Sequence, residues 1–369
     1  MSYSILDVNA HMHTPYSFSA FDSVQQALDM AAAEDVRIVG INDFYSLDGY
    51  AEWGNECAAR HLYPLFNIEF ISLWQEAQRD GLRINDPNNP GRTYLSGKGL
   101  SFPSVLTGEE ARMLSEVRAE SNRQVGRMCE RLNTLLEERK IGFQLSYARI
   151  VSDLTRGSIR ERHLAKALRL AVEQHFNSDD LRMSIYETLC GKPLKSAPDN
   201  IAGIENELRG NLLKAGGPAF VPEEPSAFLP IDVVKHIIEA AGGIPTYPFL
   251  ADDAKGLFTD FEGDLQRCAD TLKRLGIHSA EFITTRNTTA VLEQYASYLE
   301  DEGFIVTFGS EHNTPAMEPI RLRTRDNAGG LSEKLREINY RGACRVAAHQ
   351  HGCDSIEQGE EWIWQQIGE

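Results

Sequence analysis

The feature that most constrains the fold is a rhythm. Short apolar runs with strand character, at 4–9, 37–43, 62–70, 244–249, 280–283 and 304–310, alternate with stretches of helical period. The helical stretches include 24–33, 231–241, 264–275 and 289–302. Strand–helix alternation of this kind predicts a parallel sheet, and at this chain length a closed α/β barrel.

The rhythm breaks over 80–230. Segments 86–90 and 91–101 read as loop, 109–139 as a long charged amphipathic helix or helix pair, and 159–173 as another helix. Segment 214–230, with Gly216, Gly217, Pro218, Pro222, Pro225 and Pro230, reads as an irregular return to the sheet. The expected organisation is a barrel from 1–79 and 231–325, a mostly helical insertion at 80–230, and a helical extension at 326–369.

Charge narrows the function. A net charge of −17 argues against a general nucleic-acid backbone binder, which needs a Lys/Arg excess to release counterions. A local basic pocket for a small anionic substrate stays compatible with it. No apolar run approaches a membrane span of about 18–20 residues, and the N-terminus has neither the basic nor the apolar region of a signal peptide. Six cysteines without C-x-x-C spacing read as reduced thiols. The expectation is a cytoplasmic protein with no membrane partner; the oligomeric state stays open.

In a β/α barrel the chemistry collects at the C-terminal ends of the strands. His11 and His13 end the first run, Asp43 the second, Glu69 the third and Tyr247 a later one. Glu311 and His312 end the last. Residues two apart on a strand point to one side, so His11 and His13 can address one metal ion; the alternative is two histidines in a surface turn. A buried carboxylate at Glu69 needs a partner, either a metal or a salt bridge. Glu311 is a ligand candidate or part of a helix N-cap region, and Gly309 before it would let the backbone turn sharply. Arg160, Arg162 and Lys214 are candidates for anion binding, against the alternative of a solvated helix face. His349-x-His351 with Cys353 could bind zinc but reads as an ordinary surface stretch.

Seven segments in register resemble one family. AHMHTPYSFSAFDS resembles H-x-H-T-x-x-S, VGINDFYSLDGY resembles I-T-D-H-D-T-L-x-G, and FNIEF resembles G-I-E. RERHLAKAL resembles R-P-H-I-A-R-A-L, and GGPAFVPEEPSAF with IIEAAGGIPTYP resembles G-P-A-Y-V-P followed by A-G-G-x-x-x-A-H-P. GIHSAEFITT and FGSEHN resemble G-I-E-V and the closing G-S-D-x-H. These are motifs of the PHP (polymerase and histidinol phosphatase) superfamily of metal-dependent phosphoesterases, and the resemblance runs from residue 5 to about 320.

The resemblance implies a distorted (β/α)7 TIM-like barrel with a mostly helical insertion, and up to three metal ions. The first ion maps to His11, His13, Glu69 and Glu311, the last a Glu where Asp is usual. The second maps to Glu69, His163 and Tyr247, the tyrosine standing where the family has histidine. The third maps near Phe18, Phe44 and Asn313, none a comparable ligand, with His312 as a substitute. One or two divalent ions (Zn, Mn or Fe) are therefore expected, with Asp43 and Tyr247 in catalytic roles. The implied activity is hydrolysis of a small phosphorylated metabolite or nucleotide by metal-activated water. The alternatives are a non-phosphorylated substrate or a non-catalytic binding or regulatory barrel.

Overall fold

Eight strands form one sheet: β1 (Asp7–Met12), β2 (Val36–Phe44), β3 (Tyr63–Leu73), β4 (Arg92–Lys98), β5 (Leu229–Pro230), β6 (Ile244–Phe249), β7 (Ser279–Ile283) and β8 (Ile305–Gly309). This is a computed structural model, which describes residues 4–253 and 255–368. The order is β1-β2-β3-β4-β6-β7-β8, with β5 a short parallel addition to β3. β4 runs antiparallel to both neighbours; the other main pairs are parallel. The ring nearly closes where a parallel bridge joins Met12 to Glu311, with Glu311 N donating to His11 O at 2.9 Å and His13 N to Glu311 O at 2.8 Å. The expected fold class, an α/β barrel of seven strands, holds.

The two faces of the sheet differ in character. Outward residues such as Val39, Ile41, Ala280 and Phe282 pack against helices Val24–Ala33, Ile231–Ala240, Leu265–Arg274 and Thr289–Asp301. Many inward positions are polar and fully buried, among them Asn42, Asn67, Ser96, Lys98, Thr246 and Ser279. They satisfy one another: Asn67 donates to Ala10 O at 3.0 Å and Thr246 to Ser279 Oγ at 2.9 Å. Such a network rigidifies an interior when every member is paired.

Two further apolar clusters are separate from the one that contains Val39 and Phe282. One is built by Gly108–Glu138, Glu161–His175, Asp179–Cys190 and Ile201–Leu208, through Met128, Leu132, Leu164, Leu168, Tyr186 and Leu208. In the other, helices Glu333–Gln350 and Ile356–Ile367 cover Val8, Ala10, Ile38, Tyr63 and Leu65. Among the described residues no helix is long and apolar enough to cross a membrane.

Three expectations change. Segment 91–101 is not a loop: it contains β4, whose strand state comes from hydrogen bonding on both sides, to β3 and β6, rather than from a β-branched run. β3 does not stop at Glu69 but continues to Leu73, because Ser72 pairs with both Thr93 and Leu229. Gly309 serves close approach rather than a sharp turn: a Cβ there would lie 2.2 Å from the His11 Cβ. The left-handed residues are instead Glu311 (φ 71°) and His312 (φ 52°), a costly conformation for non-glycine residues and one that marks a constrained site.

Candidate metal centre and its cavity

β1 carries His11 within the strand and His13 just past its end, and the pleat sends both rings to one side. On β3, Glu69 pairs in register with Phe44, the last residue of β2, which sets it at the same rim. The Nε2 atoms of His11 and His13 are 3.3 Å apart, and Glu69 Oε2 lies 3.1 Å from His13 Nε2 and 3.7 Å from His11 Nε2. All three residues are buried.

Their outer contacts fix which nitrogen carries the proton. His11 Nδ1 is 2.9 Å from Glu281 Oε2, a carboxylate held well below its usual range by Lys98 and His11 against the opposing cost of burial. An ionised carboxylate only accepts, so Nδ1 carries the hydrogen and Nε2 the lone pair. At His13, the Ser17 hydroxyl donates to Asp43 Oδ1 at 2.5 Å and must accept from His13 Nδ1 at 3.0 Å, giving the same tautomer. Burial lowers the His13 pKa, which also favours the neutral ring. Two Nε2 lone pairs and a carboxylate oxygen thus lie around one point, with the Asn42 amide nitrogen 3.0 Å from His11 Nε2. Glu69 Oε2 is buried without a hydrogen-bond partner, and burial pushes the Glu69 carboxyl up to about 8. Either a proton on Glu69 or a cation relieves the repulsion in such an arrangement, and the donor set of two imidazoles and one carboxylate suits a divalent transition ion.

The other sequence candidates divide. Asp43 accepts from Thr14 N at 2.8 Å and from both the Thr14 and Ser17 hydroxyls, so it braces the turn after β1 and reaches His13 through Ser17. Burial raises its carboxyl above the usual range. Glu311 lines the same cavity, but its carboxylate is 2.5 Å from Arg286 Nη2 and falls outside the His11–His13–Glu69 group. Burial raises its pKa, and Arg286, His11 and His13 more than offset this, leaving it lowered.

Tyr247 does not serve the site. Strand alternation turns it outward beside Ala280, and its hydroxyl donates to Glu262 Oε1 at 2.9 Å. His163 Nδ1 accepts from Arg160 N at 2.9 Å as part of a helix cap, and its ring meets Phe18 edge-on at 4.8 Å. Burial holds its pKa down to about 3. His312 is not available as a substitute ligand: Nδ1 accepts from the Ser310 hydroxyl at 2.6 Å and Nε2 donates to Glu318 O at 2.9 Å. His349 and His351 bind separate partners, Gly242 O and the Tyr63 hydroxyl, and form no cluster with Cys353.

The centre opens into a cavity of about 1280 Å³. One wall is the start of helix Glu161–His175, where Arg160, Arg162, Arg209 and Lys214 surround a single carboxylate, Glu161. Arg209 and Lys214 pair with Glu161 at 2.8 and 2.9 Å. Arg160 and Arg162 have no carboxylate partner among the described residues. Arg160 lies 4.6 Å over the Phe44 ring, itself stacked on His13, and Arg162 lies 5.8 Å from the Phe18 ring. Burial and the Arg209 charge bring the Arg162 pKa down to about 10, the mark of uncompensated positive charge.

Sequence reasoning missed Glu281, Lys98, Ser17 and Arg286. The strand 279–283 and the S of H-x-H-T-x-x-S were visible, but which inward carboxylate or hydroxyl would meet which histidine depends on barrel closure.

No protein-family model matches the chain, and no curated protein does. Its fold is similar to that of solved structures. One is from Bifidobacterium adolescentis, described as a candidate metal-dependent phosphoesterase, with 16% identity, a TM-score of 0.57, and coverage of 91% of this chain and 96% of that one. Another is an amidohydrolase from Chromobacterium violaceum with bound sulfate and no metal, with 14% identity, a TM-score of 0.53, and coverage of 97% and 96%. At these identities the likeness is one of fold.

Proposed function

We propose that this protein is a metal-dependent hydrolase of the PHP type, acting on a small phosphorylated metabolite or nucleotide with one divalent ion at His11, His13 and Glu69. The observation that carries the reading is the convergence of two Nε2 lone pairs on the partnerless Glu69 oxygen, at the floor of a cavity with an arginine-rich wall. Three protein ligands with open positions is the pattern of a catalytic rather than a structural site. Bound there, a divalent ion supplies Lewis acidity and hydroxide near neutral pH.

The chain's own groups do the rest. Arg160 and Arg162 bind the anionic group, their charges not spent on carboxylates. Asp43 and Ser17 keep His13 Nδ1 protonated, and Glu281 does so for His11. Arg286 holds Glu311 at the cavity edge. The sulfate bound by the Chromobacterium protein of similar fold supports an anionic substrate. The six cysteines are all free, which supports a reducing, cytoplasmic setting. A non-phosphorylated anionic substrate is the second reading, favoured by the presence of one metal-competent group among the described residues where phosphoryl transfer often uses two ions.

The test is elemental analysis of the protein loaded with Mn²⁺, Zn²⁺ or Fe²⁺, together with assay on phosphoesters and on non-phosphorylated esters and amides. One ion per chain and phosphoester turnover are expected, and His13→Ala should abolish both while the protein stays folded. Metal-free protein with no hydrolysis would overturn the proposal, and turnover confined to the non-phosphorylated panel would select the second reading.

A further inference from the structure

Lys98 lies inside the barrel with no exposed surface. Its ammonium is 2.5 Å from Glu281 Oε2 and donates to Ala10 O at 3.1 Å and Asn42 Oδ1 at 3.2 Å. An ammonium has three donors, and all three are engaged. Each acceptor borders His11. Glu281 Oε2 takes the His11 Nδ1 hydrogen at 2.9 Å. The Asn42 amide nitrogen lies 3.1 and 3.0 Å from the two ring nitrogens, and Ala10 is the residue before His11 in β1. Ser96, two residues before Lys98 on β4, donates to the other Glu281 oxygen.

We propose that Lys98 is a positioning residue for the metal centre. By directing Glu281 and Asn42 it fixes the His11 ring with Nε2 aimed at His13 and Glu69. The three donors of Lys98 are all taken by protein acceptors, which leaves it none for substrate. A buried ion pair is by itself weak evidence for stability, since an apolar pair of the same shape often serves as well. What marks this pair is that each Lys98 acceptor lies beside one candidate ligand, His11, and the partners that orient a metal-bound histidine set its affinity.

The inference rests on the metal reading above, and the experiment separates the two. Zn²⁺ affinity is measured by competition with a chromophoric chelator for the parent, Lys98→Met, Glu281→Gln and the double variant. The visible spectrum of each Co²⁺-loaded form reports ligand geometry, and thermal unfolding without metal reports the fold. Lys98→Met is expected to lower affinity about 10–100-fold and to alter the Co²⁺ spectrum. The double variant should bind no more weakly than the weaker single variant, because both changes remove one shared contact. Should Lys98→Met fail to fold, the double variant, which leaves no buried charge unpaired, carries the same expectation of weakened binding. Zn²⁺ affinity within twofold of the parent in a folded variant lacking Lys98, an unchanged Co²⁺ spectrum, or additive losses in the double variant would each overturn the role of Lys98. A parent that binds no metal would overturn the centre itself.

Discussion

At the scale of single residues, Glu69 decides how the centre responds to pH. Its carboxyl titrates at about 8 in the metal-free protein, so below that pH it holds a proton that a cation must displace. Metal affinity is therefore expected to rise roughly tenfold per pH unit up to about pH 8 and then level off, with one proton released per ion bound. Calorimetry in buffers of different ionisation enthalpy measures that proton; Glu69→Gln should abolish the slope as well as most of the affinity. Some of this chemistry was legible in the sequence. His11-x-His13 is readable because the two-residue pleat is local, and Glu69 because a carboxylate in an apolar run demands a partner. Tyr247 and His312 misled for equally physical reasons. The parity that turns Tyr247 outward is set by pairing with β7, and His312 satisfies both of its nitrogens within six residues.

At the scale of elements, β4 was hidden because Arg92–Lys98 has little strand propensity of its own and gains its state from two neighbours. Missing it also hid Lys98. The contact of β8 with β1 is the tightest constraint on the centre. Gly309→Ala would press a methyl group against His11, with an expected loss of about 1–3 kcal/mol of stability or more and weakened metal binding. Urea unfolding and chelator competition measure the two; an unchanged midpoint would refute the close approach. The start of helix Glu161–His175 sets the anion wall. Arg160→Met and Arg162→Met are each expected to raise KM and the inhibition constant of inorganic phosphate about tenfold or more, since charged hydrogen bonds are worth about 1.5–3 kcal/mol. Metal content should not change, which distinguishes these arginines from ligands.

At the scale of the molecule, the acidic chain keeps uncompensated arginine charge for one cavity wall, a contrast no overall charge count reveals. The C-terminal helices are part of the barrel's cover rather than an appendage: a glycine, Gly342, lets Glu333–Gln350 lie on β8, where a Cβ would come 1.9 Å from Val306 O. Removing residues 333–368 should therefore uncover Val8, Ala10, Ile38, Tyr63 and Leu65 and yield aggregated protein rather than a stable barrel, as judged by size-exclusion chromatography and near-ultraviolet circular dichroism. The seam between β1 and β8 joins Asn9 to Ser310 across 301 residues. Contacts so distant in sequence form late, after the chain has met the entropy of closing that loop. His11 and His13 sit on this seam, although β8 follows them only much later in the chain. An ion taken up at His11, His13 and Glu69 would then mark maturation, reporting molecule by molecule when the ring has shut.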